Sequence, residues 1–221
     1  MRLHLILSPN VQPVPFEYLH FLTGAFHKWL GPSDIHDDIS LYSLSWLTGG
    51  RRHEQSLRFA SGARWMISAH DDGILERVAR GIQRDPEVCC GMRVLEVREQ
   101  RTPQFGSYYA FKPGSPILAR GKEVEGRVKH WLWSDLESDE VLSQALRHKM
   151  DKAGLPPEHK KVSVRFDRSS QKAKTKLIRI KGIGNVASLC PVIVEGAPQA
   201  VQFAWNVGAG HLTGSGFGCL Q

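Results

Sequence analysis

The order of the hydrophobic patterns in the first hundred residues limits the fold of this chain more than any other feature. Alternation of apolar and polar residues predicts strands, which lie at 2–8, 40–47, 63–69 and 92–99. Apolar residues at helical spacing predict helices at 16–30 and at about 72–84. The resulting order, β-α-β-β-α-β, is that of the ferredoxin-like unit, which is also the topology of the RRM domain. Because this fold supports many functions, the order alone does not assign one.

The second half of the chain predicts a degenerate copy of the same unit after a linker at 100–107. The predicted elements are strands at 108–112 and 116–120, a helix at about 124–150 that is broken near Trp133 and Ser134, and strands at 162–168, 174–182, 190–196 and 200–208. The segments 162–168 and 174–182 are expected to pair with each other. We therefore expect an α+β protein of two tandem ferredoxin-like (RRM-like) domains, the first at 1–100 and the degenerate second at 107–221.

The charge balance favours a polyanionic partner. The chain has 29 lysines and arginines against 22 acidic residues, which gives a formal net charge of +7. Nucleic acid is the commonest partner of a protein with such a surplus. The alternative, a basic protein with no polyanionic partner, stays open at this point.

Cysteine use and hydropathy indicate a cytoplasmic protein with no membrane contact. Cys89, Cys90, Cys190 and Cys219 include no CxxC pair and no metal-ligand spacing. With no signal peptide evident, they are expected to be free thiols in a reducing compartment. No apolar run reaches the roughly 18 residues of a membrane span.

A basic run at 160–181 is the strongest candidate for a nucleic-acid contact, because its only acidic residue is Asp167. Its cations are Lys160, Lys161, Arg165, Arg168, Lys172, Lys174, Lys176, Arg179 and Lys181. Alternate side chains of paired strands share a face, so Arg165 and Arg179 are expected to lie on one face of a ribbon that suits a phosphate backbone. The alternative is a solvated hairpin whose charges prevent aggregation.

A second, weaker basic cluster surrounds the predicted hairpin at 48–58. It contains Arg51, Arg52, His53, Arg58 and Arg64. A contact with nucleic acid and a solvated loop are equally consistent with this cluster.

His36 is the candidate for proton transfer. It follows Gly31 and Pro32, which end the first predicted helix. An imidazole at such a junction can act as a general acid or base near neutral pH. His27, about one turn from the end of that helix, is the rival candidate. No HxxxH, HExxH or carboxylate cluster has metal-ligand spacing, so a nuclease of this sequence is expected to need no metal ion and no other cofactor.

The end of the chain, GAGHLTGSGFG at 208–218, is rich in glycine. Its glycines are Gly208, Gly210, Gly214, Gly216 and Gly218. The stretch lacks the Lys-Ser/Thr pair of a P-loop and opens no helix of a βαβ unit, which argues against both common nucleotide-binding loops. A loop with exposed N–H groups and no Cβ atoms still lets an RNA backbone approach closely. Leu212 and Phe217 are spaced to pack inward, which disfavours a frayed tail.

Together these segments resemble the CRISPR-associated endoribonucleases of the RAMP superfamily, which cut precursor CRISPR RNA within its repeats. The resemblance rests on TGSGFG (213–218) after a predicted strand, on IHD (35–37) and YSL (42–44) after an amphipathic helix, on DPEV (85–88) before a closing strand and on GSPI (114–117) beyond it. It extends over nearly the whole chain.

The resemblance implies two tandem ferredoxin-like domains and metal-independent cleavage. A ribose 2′-OH would attack the adjacent phosphate, leaving a 2′,3′-cyclic phosphate and a 5′-OH. His36 matches the position of the histidine that acts as general base or acid in many members. CRISPR repeat RNA is the expected partner, bound by the glycines at 208–218, His211, Arg51, Arg52 and the cations of the basic run. A CRISPR effector complex is a further possible partner, and the protein is expected to be a monomer or a homodimer.

The sequence departs from the family pattern at two places. Some members have a tyrosine late in the first helix, where this chain has Phe26, and some have a lysine soon after the histidine, where this chain has Asp37 and Asp38. The cationic role is then expected to fall to Arg51, Arg52 or His211. The alternative function is a RAMP-type subunit that binds guide RNA without cutting it. An unrelated RRM-like binder is disfavoured, because no RNP-like aromatic pattern is present.

Overall fold

Helices alternate with antiparallel strands in the computed structural model, which describes residues 1–32, 39–124 and 127–221. The α-helices are α1 (Leu19–Leu30), α2 (Asp72–Arg84), α3 (Glu137–Lys152) and α4 (Pro198–Val207). The strands of the first half are β1 (Arg2–Leu7), β2 (Val14–Pro15), β3 (Tyr42–Leu44), β4 (Arg51–His53), β5 (Ser56–Arg58), β6 (Ala63–Ala69), β7 (Glu87–Cys89) and β8 (Met92–Gln100). The strands of the second half are β9 (Tyr108–Phe111), β10 (Ala119–Val124), β11 (Arg127–Trp131), β12 (Val162–Phe166), β13 (Lys174–Ile180), β14 (Ile183–Leu189) and β15 (Val192–Gly196).

The first unit has the predicted ferredoxin-like sheet. Its strand order is β3-β6-β1-β8-β7, and its pairings are antiparallel. Leu3, Leu5 and Leu7 alternate along β1 and are buried in a core that includes residues of α1 and α2. The predictions of a strand at 63–69 and of a helix near 72–84 are confirmed. The Asp71 side chain caps this helix by accepting a hydrogen bond from the next-but-one backbone N–H.

The second unit keeps the same strand order in reduced form. Strands β12, β15 and β9 form an antiparallel sheet, and α3 and α4 pack against it. The place of a fourth strand is taken by the last residues of the chain. Lys112 and Gln221 exchange two backbone hydrogen bonds of 2.9 and 2.8 Å, and Pro113 forms a bridge with Leu220. The protein is therefore α+β with two tandem ferredoxin-like units, whereas the predicted domain boundary at 100–107 stays a prediction.

The segment 200–208, which the sequence predicts as a strand, forms most of α4. Its residues are buried apart from Gln202, so its apolar run shows neither a strand nor a helix period. Pro198 in the first turn and Gly208, with φ of 78°, just after the last helical residue are the signals that favour a helix.

The predicted pairing of 162–168 with 174–182 is wrong. Strand β12 pairs with β15, and β13 pairs with β14. Lys181 and Gly182 form the two-residue turn between β13 and β14, and both have positive φ, as a tight hairpin requires. Arg165 and Arg179 therefore lie on different sheets, and the expectation that they share one face is wrong.

The predicted helix at about 124–150 is only partly correct. Its first residues form β11, which pairs with β10, and the helix begins at Glu137. The predicted break near Trp133 and Ser134 thus marks the end of a strand and not an interruption of a helix.

Arg2 and Phe217 join the two units. The Arg2 guanidinium lies 3.5 Å from the ring centroid of Trp205 on α4, and it donates hydrogen bonds to Ser68 Oγ at 3.1 Å and to the Trp205 carbonyl oxygen. Burial lowers the pKa of Arg2 to about 10, so the group is still charged at neutral pH. Phe217 belongs to the core of the first unit, which places the end of the chain between the two units. None of the described helices is long and apolar enough to cross a membrane.

Candidate functional site

The glycine-rich loop, residues 208–218, is a folded and largely buried element. The N–H of Ala209 donates to the carbonyl oxygen of Gly218 at 2.9 Å, and the N–H of Gly218 donates to that of Pro116 at 2.8 Å. Gly218 has a φ of 64°, and a Cβ at this position would collide with the Ala209 carbonyl. Glycine is therefore required here by both backbone conformation and space.

Gly214 brings the loop against β3. A Cβ on Gly214 would lie 2.5 Å from Ser40 Oγ and 2.7 Å from the hydroxyl oxygen of Tyr42. Only glycine lets the backbone approach the two hydroxyl groups at this distance. The loop therefore forms one wall of a cluster that contains Ser40, Tyr42 and the end of α1.

His27 and Tyr42 form the polar centre of this cluster. The Tyr42 ring stacks on Phe26, with centroids 4.5 Å apart, and its hydroxyl oxygen lies 3.5 Å from His27 Nε2. Burial raises the pKa of Tyr42, and a hydrogen bond with Ser40 only partly offsets this effect. Tyr42 is therefore a neutral phenol at neutral pH, able to donate its proton in a hydrogen bond. An imidazole beside a neutral phenol is an arrangement that can pass protons.

His36, the first catalytic candidate, lies outside the described residues, in the segment 33–38. The residues on both sides of this segment are described. The Arg77 guanidinium donates to the carbonyl oxygens of Leu30 and Pro32 at 2.8 and 2.7 Å, which fixes the chain before it. The chain after it leads through Ser40 to Tyr42. Both flanks of the segment are therefore anchored to the first unit.

Lys149 of α3 holds the glycine-rich loop at two points. Its Nζ donates to the Val207 carbonyl oxygen at 3.2 Å and to Thr213 Oγ1 at 3.0 Å. Thr213 Oγ1 in turn donates to the Tyr42 carbonyl oxygen at 2.8 Å. Burial lowers the pKa of Lys149 to about 7. This chain of hydrogen bonds ties α3, the loop and β3 together behind the His27–Tyr42 cluster.

His211 lies beside a cavity of about 230 Å³ that Ser40 and Lys149 also line. Its Nδ1 accepts a hydrogen bond from the backbone N–H of Arg120 at 3.2 Å. Burial, together with the nearby charges of Lys149 and Arg120, lowers the pKa of His211. A ring that is neutral at pH 7 is suited to hydrogen bonding and not to the cationic role that the sequence assigns to it as one alternative.

The structure brings the two predicted basic hairpins to one pocket. The first hairpin (β4 and β5, Arg51–Arg58) contributes Leu57 to its lining, and the basic hairpin (β13 and β14, Lys174–Leu189) contributes Lys176–Arg179. Their exposed cations, with that of the preceding turn, are Arg51, Arg52, Arg58, Lys172, Lys174, Lys176, Arg179 and Lys181. The pocket between them has a volume of about 630 Å³.

Arg165 and Arg168, two of the other predicted cations, lie on or beside β12 and do not line this pocket. Arg165 is exposed. Arg168 is partly buried against α3, where it forms an ion pair with Asp139 at 2.8 Å and donates to the Asp135 carbonyl oxygen at 2.7 Å. Arg168 thus binds protein groups that a phosphate would have to displace.

Metal ligation has no candidate in the part of the chain that the structure describes. Within residues 1–32, 39–124 and 127–221, no group of three or more His, Cys, Asp or Glu side chains is placed to hold a metal ion. The expectation that the chemistry needs no metal stays a prediction.

A family model decides which proteins this chain is related to. Residues 99–221, more than half of the chain, match the model described as CRISPR associated protein Cas6, C-terminal. The chain belongs to the Cas6 family. The matched region covers the whole second unit and includes the glycine-rich loop and the basic hairpin.

A curated Cas6 relative supports this membership. The chain is 24% identical over 165 residues to the "Putative CRISPR-associated endoribonuclease-like protein Cas6nc" of Pyrococcus horikoshii. The alignment covers 70% of this chain and 66% of the relative, just under two thirds of its length.

Two solved structures share the fold over the full chain. One is described as "Characterization of a Cas6-related gene from Pyrococcus furiosus", with a TM-score of 0.87, 20% identity and coverage of 100% of this chain and 97% of that one. The other is described as "An RAMP protein binding different RNA substrates", with a TM-score of 0.84, 18% identity and coverage of 100% and 98%. At these identities the likeness establishes the fold alone.

Sequence reasoning about this Cas6 chain missed two residues of the site. Tyr42 was interpreted only as part of a strand, although the absence of a hydroxyl at Phe26 was a signal to look for another one nearby. Lys149 lies at helical spacing from Leu142 and Leu146, which places it on the buried face of α3. A lysine on an apolar helix face is a detectable signal, because a buried ammonium needs partners.

Proposed function

We propose that this Cas6-family chain is a metal-independent endoribonuclease that cuts precursor CRISPR RNA within its repeats. The observation that carries the proposal is the approach of Gly214 to Tyr42, because it joins the glycine-rich loop to a His27–Tyr42 pair suited to proton transfer. Family membership and the name of the Pyrococcus horikoshii relative support RNA cleavage as the activity.

The proposed reaction is an internal transfer at one phosphate. The ribose 2′-oxygen loses its proton and forms a bond to phosphorus, while the bond from phosphorus to the 5′-oxygen breaks and that oxygen takes up a proton. The products are a 2′,3′-cyclic phosphate and a 5′-OH. The chemistry needs a base, an acid and a positive charge near the phosphorane.

We assign these roles to few groups. His36 and His27 transfer the protons, and the buried Tyr42 hydroxyl, 3.5 Å from His27 Nε2, positions the His27 ring. The positive charge is assigned to Arg51 or Arg52, since the lowered pKa of His211 disfavours a charged ring there. Each proton-transfer group is expected to contribute on the order of 10²–10⁴ in rate.

RNA binding is assigned first to the exposed cations around the pocket. The glycine-rich loop is a secondary candidate, because its five glycines are buried and its exposed residue is Leu212. Lys172, Lys174, Lys176, Arg179 and Lys181 extend along and beside the basic hairpin, where a phosphate backbone can reach them. Arg165 stays a candidate contact on a separate surface. Arg168 is a weaker one because of its ion pair with Asp139.

A binding-only function is the second candidate, in which the protein holds guide RNA in a CRISPR ribonucleoprotein. The observation that favours it is Phe26, which places no hydroxyl late in α1. In either case we propose that the protein acts in the cytoplasm as a monomer or homodimer.

The test is incubation of the purified protein with the repeat RNA of the neighbouring CRISPR array in EDTA, followed by analysis of the fragment ends. We expect one discrete cut with a cyclic phosphate on one fragment and a 5′-OH on the other. A 2′-deoxy substitution at the cut nucleotide should abolish the cut. Cleavage only when divalent metal is added would contradict the mechanism, and tight binding without any cut would favour the binding-only function.

A further inference from the structure

We propose that the pocket between the first hairpin and the basic hairpin holds one unpaired nucleobase of the bound RNA, stacked on Phe16. This inference rests on the proposed function, because it adds a base-binding subsite to the surface that contacts the RNA backbone. No role in the cleavage chemistry is required of it.

The size and the aromatic lining of the pocket suit a nucleobase. Its volume of about 630 Å³ lies within the range of ~300–1,000 Å³ that is typical of small-molecule sites. The aromatic residues among its lining are Phe16, Tyr18, Trp46 and Phe59. Gly50 keeps it open, because a Cβ there would lie 2.5 Å from the Phe59 ring.

Phe16 is the stacking surface. Its side chain lies at the pocket and is 48% exposed. Exposure of a large apolar ring to water is unfavourable, so a stacked partner would stabilise it. The Arg52 guanidinium is 5.6 Å from the ring centroid, so a cation already covers part of the ring. Phe16 directly follows β2, which pairs with β5, and β5 pairs with β4. One small sheet therefore fixes the positions of both Phe16 and Arg52.

Charge favours RNA as the source of the occupant over an apolar side chain of a protein partner. Lys176 and Arg179 line one wall, and Arg52 stands above Phe16 on the other. Glu17 is the acidic residue of the described lining, and its carboxylate can accept a hydrogen bond from the amino group of a base. The apolar lining is complementary to a nucleobase, and the cations at its edge are complementary to the phosphates attached to that base.

The wall formed by β13 offers further contacts. Four consecutive residues, Lys176–Arg179, line the pocket. Strand β13 pairs with β14 on one side, and no other strand of the described residues pairs with its second edge. Backbone N–H and C=O groups of an unpaired edge can bond to the polar edge of a base.

The pocket is continuous with the glycine-rich loop. Trp46 lines the pocket and donates from Nε1 to the carbonyl oxygen of Gly216 at 3.0 Å. A Cβ on Gly216 would lie 3.0 Å from the side chain of Leu19, which also lines the pocket. An RNA strand that passes the loop therefore has this pocket within reach of a neighbouring base.

The test is a binding comparison between Phe16→Ala and the matched control Phe21→Ala. Phe21 is similarly exposed, at 39%, but lies on α1 outside this pocket. Binding is measured for repeat RNA made uncleavable by 2′-O-methylation, and for the same RNA with a single abasic site at each position in turn. We expect Phe16→Ala to weaken binding about 10-fold, as expected for one lost base–aromatic stack, with no change in salt dependence. Phe21→Ala should bind like the unmodified protein.

The abasic series identifies the stacked base. One abasic position should weaken binding by the unmodified protein about 10-fold and cause no further loss with Phe16→Ala. Phe16→Leu, which keeps an apolar side chain, should show the same coupling if Phe16→Ala fails to fold. Equal binding by Phe16→Ala and Phe21→Ala, or a loss that no abasic position shares, would overturn the base subsite, including the case in which the pocket binds a protein instead. Absence of RNA binding by the unmodified protein would instead overturn the proposed function.

Discussion

On one side of the glycine-rich loop, Gly214 lies against the buried hydroxyl of Tyr42, whereas on the other side Gly216 is bonded to Trp46, which lines a pocket edged by exposed cations. The first region is small and closely packed, and it has the groups that we propose to transfer protons. The second is open, positively charged and aromatic. We infer that the loop separates the proton-transfer groups from the basic hairpin that binds RNA, so that substitutions in one should leave the other intact.

The largest expected effect is on the chemical side. His36→Ala should slow cleavage at least about 100-fold through loss of a proton-transfer group, with RNA affinity unchanged. Single-turnover cleavage and binding assays measure the two quantities separately. His20→Ala is the matched control, because His20 lies on the same helix as His27 and its Nδ1 bonds to the Glu17 carbonyl oxygen. A normal rate in His36→Ala would transfer the role to His27, whose alanine variant is then expected to be the slow one.

The next largest effect is expected on RNA binding by the basic hairpin. Replacing Lys174, Lys176 and Lys181 with glutamine should reduce the slope of log affinity against log salt by about 2, since each lost phosphate contact of a single strand removes roughly 0.7. Binding titrations at several salt concentrations give this slope. The control replaces Arg80, Arg84 and Arg93, which are exposed on or near α2, and removes the same charge elsewhere. An equal fall in slope for both variants would mean that net charge matters and the basic hairpin does not.

Tyr42→Phe tests the hydroxyl of the chemical side with a smaller change. It should slow cleavage about 10-fold, as expected for the loss of one hydrogen bond that positions His27. RNA affinity should hardly change, because the ring and its stacking on Phe26 are kept. A loss of RNA affinity equal to the loss of cleavage rate would mean that Tyr42 contributes to RNA binding and not to the chemical step.

Lys149, behind the loop, has the smallest expected effect on RNA binding and cleavage, and its effect is expected on folding stability. Its pKa is lowered to about 7 by burial, so between about pH 7 and 10 the unfolded chain binds a proton here that the folded chain does not. The unfolding free energy should therefore rise with pH through this window, by up to about 1.4 kcal/mol per pH unit. The unfolding free energy is measured with urea for the unmodified protein and for Lys149→Met at several pH values. The difference between the two proteins isolates the contribution of Lys149. A difference that is flat with pH would show that Lys149 is charged in the folded protein.

Local patterns predicted the first unit well and the second unit less well. The strand at 63–69 and the helix near 72–84 have clear periods and a local cap at Asp71, so the sequence alone was sufficient. The segment 200–208 is apolar on all sides, and its helix is decided by packing between sheet and loop. Likewise, the strand partner of 174–182 depends on a two-residue turn at Lys181 and Gly182, which a search for long-range pairing overlooks.

For the candidate site, sequence reasoning identified residue types but not their neighbours. The two basic clusters and the glycine-rich loop were predicted from composition. The structure places both basic hairpins at one pocket, and Trp46 of its lining bonds to Gly216 of the loop. The contact of Tyr42 with His27 joins a strand to a helix 15 residues earlier, and it depends on the close approach of Gly214. Such a contact is a property of packing and leaves no spacing pattern in the sequence.

The most direct test of the separation is the single-turnover cleavage rate of the Lys174, Lys176 and Lys181 variant as a function of protein concentration. If the basic hairpin only grips RNA, the rate should rise at higher protein concentrations than for the unmodified protein and reach the same maximum. A maximum that stays well below that of the unmodified protein at saturation would show that the hairpin takes part in the chemical step, and would contradict the account.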